Sequence, residues 1–323
     1  MNSQAILGLI RGYLERSLTD NVKMPDELIE EFGELCKTAL KRRFQSGPSK
    51  DFTIRMSNIG KPVCQLRFEK AGAPRETSGY SHAMMMVFGD LIEALTYTVI
   101  KGAGIKVESY QQPVTLKIRY DGKNLGSLSG TMDVNLYGRA YDIKSCSSFA
   151  YTNKFAPEHS GSWDKLKAND DFGYVNQLYG YALGASISVG GFIAVNKETG
   201  EISILDAPDE KKAYKEAYEA IGKTFQAIQK EETFSEITRE FDEEVETFSG
   251  KETGNKKLSK PCSWCQYKWT CWPGLIQAPR VMSTAKTPTL VYYTHLEDKY
   301  KNNGDDNEIA EGEGKESTTT STE

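Results

Sequence analysis

The chain has 323 residues, 38% apolar and 26% charged, enough to bury a full core as one large domain or as one domain with appendages. No signal peptide or membrane-spanning run is read from it, which argues against a secreted or membrane-integral class and makes the cytoplasm the expected location. The net charge of −5 would suit a nucleic-acid partner poorly if it were evenly spread; residues 297–323 hold nine acids and three lysines, −6 in total, which leaves +1 for residues 1–296.

Near the start, Arg11, Glu15 and Arg16 interrupt an apolar repeat, which predicts an amphipathic helix over 4–18 packed on the body. A second helix is predicted over 26–44. Residues 56–70 read as a turn followed by a helix that leaves Cys64 at its exposed start. Val87, Leu91, Ile92, Leu95 and Val99 form a helical stripe, predicting a helix over 80–103 with Glu93 beside the stripe and able to point inward. Strands are predicted over 105–111, 115–120, 128–136 and 140–145. The polar segment 151–170, with Lys154, Lys165 and Lys167, suits a loop over a substrate. A helix over 174–183 places Gln177 and Tyr181 four apart on one face, where both can reach a phosphate. Strands over 190–196 and 201–206 flank a hairpin turn, and a helix follows over 209–230. The mixture is α/β. The acidic tail 297–323 lacks aromatics after Tyr300 and is expected to be disordered.

The most informative stretch runs from Gly130 to Ser145. Tyr137-Gly138 reads as a tight turn, and a two-residue loop there sets Asp133 opposite Asp142. Asp142 and Lys144, two apart, share a strand face. Facing carboxylates repel unless something positive lies between them, and Mg²⁺ or Mn²⁺ held by few protein ligands beside a phosphate is the natural candidate. Lys144 adds a compact point charge able to orient an attacking water or neutralise developing charge. An isolated Asp-x-Lys pair is common on solvated hairpins, so the weight comes from the rest of the chain.

A second feature lies far downstream, where Cys262, Cys265 and Cys271 form C-x₂-C-x₅-C. Three thiols that close imply a metal, and a fourth must come from Cys36, Cys64 or Cys146. Cys64 is preferred for its exposed helix start, the other two reading as small buried hydrophobes. Four thiolates suit tetrahedral Zn²⁺ or an iron–sulfur cluster; one distant cysteine with a tight trio is more in keeping with a cubane. Disulfides are disfavoured in the cytosol. Trp264, Tyr267, Trp269 and Trp272 gather round the thiols, suited to shield a cluster, and lysines at 211–215 and 251–260 suit a nucleic-acid backbone. His82, His159 and His295 have no ligand spacing to one another.

Together these motifs resemble the PD-(D/E)XK nucleases of the RecB-like branch with a C-terminal iron–sulfur staple, whose relatives include Cas-four-type CRISPR exonucleases and phage stand-alone exonucleases. The resemblance runs over residues 57–273. Gly89-Asp-Leu-Ile-Glu93 matches the first motif, Gly130-Thr-Met-Asp133 the second, Asp142-Ile-Lys144 the third and Gln177 to Tyr181 the Gln-x-x-x-Tyr helix. Cys64 with Cys262, Cys265 and Cys271 matches the thiol pattern. Met132 stands where the family name has proline, and Cys64 sits in Lys-Pro-Val-Cys.

The resemblance implies a restriction-endonuclease-like core, a mixed central sheet flanked by helices, with an N-terminal helical region over 1–56, a nuclease domain over 57–273, an extension over 274–296 and the tail over 297–323. It implies a metal-dependent DNA exonuclease acting on single-stranded ends in replication, recombination or repair, in a bacterial or phage-infected cell. Glu93, Asp133 and Asp142 would hold Mg²⁺ or Mn²⁺, Lys144 would assist the attacking water, and Gln177 and Tyr181 would position substrate. Cys64, Cys262, Cys265 and Cys271 would hold a [4Fe-4S] cluster, or Zn²⁺. Without a helicase motif, unwinding would come from a helicase or recombination partner. The rival from another class is an inactive DNA-binding scaffold that keeps the fold and cluster.

Overall fold

The computed structural model describes residues 1–20, 22–45, 52–77 and 79–301. Two compact units divide the chain: Met1–Ala73 with Thr77–Thr238, and Pro74–Glu76 with the residues from Arg239 onward.

The first unit is built on a five-stranded mixed sheet. Its strands are β1 (Val107–Tyr120), β2 (Lys123–Leu136), β3 (Arg139–Cys146), β4 (Ser188–Asn196) and β5 (Ile202–Asp206), in that spatial order. β3 and β4 are parallel and the other neighbours antiparallel. A parallel neighbour requires a crossover, and the segment between β3 and β4 supplies it. Helices α1 (Ser3–Thr19), α2 (Asp26–Phe44), α3 (Val63–Lys70) and α4 (Tyr80–Gly102) precede the sheet; α5 (Tyr174–Ala185) lies in the crossover and α6 (Lys211–Ala227) follows β5.

Both sheet faces are buried, which explains why β4 reads as a continuous apolar run rather than an alternating one. One face packs Ile6 and Ile10 of α1 and Ile100 of α4 against Tyr141, Ile143, Ile193 and Ile204. The other packs Leu178 and Ala182 of α5 and Ile221 and Phe225 of α6 against Ala140, Phe192 and Ala194.

Several elements differ from the sequence reading. The strands expected over 105–111 and 115–120 are one strand, because Pro113 falls on β1, an edge strand, where a missing N–H costs no ladder bond to a further neighbour. Segment 151–170 is not an open loop: Tyr151, Phe155 and Leu166 are buried in the core, the first two on a single wide turn (Tyr151–Phe155) and the third on a short helix (Trp163–Ala168). α4 is long and apolar enough to cross a membrane, which the sequence reading did not register. Ala94, Tyr97, Val99 and Ile100 spend its later half on the core. Residues 1–56 hold α1 and α2, and α1 helps to form the core of the first unit.

The second unit carries an antiparallel sheet that the sequence did not reveal: β6 (Glu243–Phe248), β7 (Lys251–Leu258), β8 (Ile276–Pro279) and β9 (Leu290–His295), in the order β6-β7-β9-β8. Strands from both sides of residue 273 pair within it, so the division expected there falls inside a hydrogen-bonded unit. Its polar centre is Glu246, which accepts from Tyr293 Oη at 2.9 Å, Asn255 Nδ2 at 2.9 Å and Thr253 Oγ1 at 3.1 Å. That satisfies a carboxylate otherwise costly to bury. Beyond Lys301 the expected tail lies outside the described residues; Asp298–Lys301 forms a helical turn.

Candidate functional site

The turn between β2 and β3 is the one the sequence predicts. Tyr137 and Gly138 both have positive φ, 52° and 76°, the type I′ geometry that matches strand twist. Val134 pairs with Tyr141, and the same register carries Asp133 opposite Asp142. Asp133 Oδ2 accepts from the Ile143 N–H at 2.9 Å, which pins the carboxylate onto β3.

At Asp133 the long β1–β2 hairpin changes sides. Leu128 and Met132 pack in the core shared with α5 and α6, whereas Val134 and Leu136 pack in the core shared with α1 and α4. Across from it on β1, Gln111 has a φ of 48°, a left-handed backbone that bends the strand. The two cores meet there, so side chains from opposite layers converge. Gly130 belongs to the same construction: a Cβ there would stand 2.5 Å from Met56 Cβ and 2.9 Å from Tyr181 Cε1. Only glycine lets α5 come this close.

Asp142 is fully buried, and its Oδ1 has no hydrogen-bond partner among the described residues. Lys144 Nζ lies 2.5 Å from Asp142 Oδ2 as a close ion pair; its side chain keeps 18% of its surface. Burial raises the Asp142 carboxyl and the Lys144 charge partly offsets it. Burial also raises Asp133, joined by the charges of Asp142 and Glu93 and opposed by Lys144 and the Ile143 N–H. Glu93 is raised by burial, opposed by a hydrogen bond from Gln111 and pushed further by Asp142. Burial alone would lower the Lys144 ammonium, but Asp142 and Asp133 outweigh it and raise it. Three carboxylates and one lysine therefore form one electrostatic unit, with Glu93 turned inward as the sequence suggested.

Gln177 Nε2 donates to Tyr181 Oη at 3.0 Å, and that buried phenol feels the charges of Asp142, Asp133 and Lys144. Sequence reading missed three neighbours. Gln111 donates to Glu93 Oε1, Tyr110 hydrogen-bonds to Glu93, and Tyr174 lies beneath Lys144, whose Nζ is 4.6 Å from the ring centroid. Tyr110 and Gln111 carry no motif; a bend at Gln111 leaves no trace in strand periodicity. Tyr174 was legible as the first residue of the Gln177 helix, three positions before Gln177 and so on its face.

The oxygen-only donor set suits a hard divalent cation. The carboxylates are nevertheless separately engaged, and among the described residues no group of three or more His, Cys, Asp or Glu side chains is arranged to hold a metal ion. Asp133 is tied to the Ile143 amide, Glu93 to Gln111, and the Lys144 ammonium occupies the positive position beside Asp142.

In the second unit, Cys262 lies on the helical turn Lys260–Ser263, Cys271 on Lys268–Cys271, and Cys265 in the link between them. Burial raises the Cys265 thiol, the Tyr267 N–H, 3.4 Å from Sγ, lowers it, and Cys262 and Cys271 are close enough to raise it further. Trp272 is buried with Leu258 and Leu275, and Arg239 lies over its ring at 3.8 Å while donating to the Cys271 carbonyl. Trp264 is exposed. Cys64 is on α3, in the other unit. Within the basic runs, Lys212 and Lys215 lie near Glu216 and Glu219, and Lys256 and Lys257 pair with Glu243 and Glu244.

No family model matches the chain, and no curated protein matches it. Among solved structures, one described as the crystal structure of SSO0001 matches at 14% identity over 74% of this chain and 95% of that chain, with a TM-score of 0.43. A likeness at that level decides neither fold nor chemistry.

Proposed function

We propose that this protein is a metal-dependent DNA exonuclease acting on single-stranded ends by hydrolysis of the phosphodiester. The observation that carries the reading is the cluster at Asp142: a fully buried carboxylate whose Oδ1 has no hydrogen-bond partner among the described residues, paired with Lys144 and close enough to Asp133 to raise it. Three carboxyls share that one ammonium and all are raised by burial, so the cluster is short of positive charge.

Asp133 and Asp142 would hold Mg²⁺ or Mn²⁺ with Glu93 completing the acidic wall; the ion supplies an activated water and charge stabilisation at phosphorus. Lys144, drawn from Asp142, offers its ammonium to the attacking oxygen or to the non-bridging phosphate oxygens. Gln177 holds the Tyr181 hydroxyl in a fixed orientation, so the pair can donate to a phosphate without first ordering itself. Lys144 keeps part of its surface open, which gives a substrate access.

For the thiols, Cys262, Cys265 and Cys271 would supply three ligands to a [4Fe-4S] cluster or to Zn²⁺, with a structural role. The N–H···S bond from Tyr267 to Cys265 is of the kind that supports cluster thiolates. DNA with free ends, a helicase or recombination partner and a cytoplasmic setting in replication, recombination or repair belong to the same proposal.

The rival reading, an inactive DNA-binding scaffold, draws support from the separately engaged carboxylates. The deciding experiment digests end-labelled linear single-stranded, duplex and circular DNA with Mg²⁺, Mn²⁺ or EDTA. Metal-dependent loss of linear DNA that Lys144→Ala abolishes supports the exonuclease. Binding that is indifferent to EDTA, without cleavage in any condition, selects the scaffold.

A further inference from the structure

The aromatic contact beneath Lys144 continues outward to solvent. Tyr174 is held from behind by Phe155 and Phe192, at centroid distances of 6.3 and 6.4 Å. Phe172 stacks on Tyr174 with centroids 5.5 Å apart and planes 25° from parallel, and is 53% exposed. A single exposed ring is ordinary on a protein surface. This one is stacked on the ring that faces the site's ammonium.

The turn that carries it is also rigid. Gly173 has a φ of 74°, and a Cβ there would stand 2.1 Å from Gly60 Cα, so two backbone segments are in direct contact. The Asp170 carboxylate accepts from the Tyr174 and Val175 N–H groups at 2.8 and 2.9 Å, capping α5. The backbone that carries the two rings is thus fixed before any ligand arrives, which lowers the entropic cost of binding.

We propose that Phe172, backed by Tyr174, is a stacking platform for an unpaired nucleobase next to the phosphate drawn to Lys144, and that this ring makes the site select single strands. The inference rests on the nuclease reading. A paired base inside a duplex already has both faces covered and would have to leave its stack, at a few kcal/mol, to reach the ring. An unpaired base has no such cost and gains about 1–3 kcal/mol from stacking. Because a phenyl ring reads no hydrogen-bonding edge, the platform accepts any base.

The test uses the full chain in EDTA, with a labelled oligothymidylate and a blunt duplex of the same length as probes. Phe172→Ala is expected to weaken oligothymidylate binding by about 5- to 150-fold, the fold-change that one stacked base represents, and to leave duplex binding unchanged. Phe172→Trp is expected to restore affinity, with its indole emission quenched on binding. Equal affinity of wild type and Phe172→Ala for the oligothymidylate, an equal loss on the duplex, or no binding of either probe overturns the proposal. A Phe172-dependent strand binder that leaves DNA intact with Mn²⁺ keeps the platform and sinks the nuclease; metal-dependent cleavage with affinity indifferent to Phe172 does the reverse.

Discussion

The carboxylate site and the cysteine array are held in opposite ways. Asp133, Asp142, Lys144, Glu93 and Tyr181 come from two strands and two helices whose other residues fill two cores, so the side chains are fixed although their charges conflict. Cys262, Cys265 and Cys271 come from two four-residue helical turns and a link, where little regular structure orders them. In the first region the fold supplies the energy that keeps an unfavourable cluster of charges together. In the second, a bound metal would itself supply much of the order.

The largest effect is expected where a bound metal would supply that order. Cys265→Ser should lose metal, read as metal per chain, and the second unit should melt early and be cut by protease within 239–301 while the first unit melts unchanged. Retention of full metal content would break the comparison. Structural metal sites of this kind are worth on the order of 10 kcal/mol.

Lys144→Ala leaves Asp142 and Asp133 without their nearby positive charge. Metal-free protein should lose about 3–5 kcal/mol in denaturant unfolding, and Mn²⁺ should return part of it. A variant as stable as wild type without metal would mean that the carboxylates are already neutral.

Gly130→Ala drives a methyl into Met56 and Tyr181 and should cost about 1–3 kcal/mol, with cleavage falling along with stability because the Gln177–Tyr181 pair is displaced. An unchanged melting temperature would show that the approach of α5 to β2 is not tight.

The smallest effect tests electrostatics away from both sites. The Glu232 carboxyl is held down to about 2 by hydrogen bonds from Arg67 and Lys230. A carboxyl with a lowered folded value contributes stability above its unfolded value, near about 4.3, which is lost as pH falls toward 2. Glu232→Gln should therefore flatten the fall in stability across that window and leave the profile near neutrality parallel to wild type. A superimposable acid limb would remove Glu232 from the account.

Local rules made the sequence readable wherever one element decides. The Tyr137-Gly138 turn, the register that brings Asp133 and Asp142 together, the shared face of Asp142 and Lys144 and the four-residue spacing of Gln177 and Tyr181 follow from strand and helix periodicity and from turn chemistry. The inward turn of Glu93 was an open choice, because its helix face depends on what packs against it. The tertiary structure alone decided the bend at Gln111 and the change of sides at Asp133, where two cores compete for one hairpin, and the burial of Tyr151, Phe155 and Leu166, which pack in one of those cores. It also decided the sheet of the second unit, whose short polar strands carry weak periodicity and are defined by partners tens of residues away. The sequence by itself determined which charged and polar side chains stand in these elements and at what spacing. Their convergence into one buried, charged cluster is a property of the packed layers, because only there do residues far apart in the chain share a low-dielectric space.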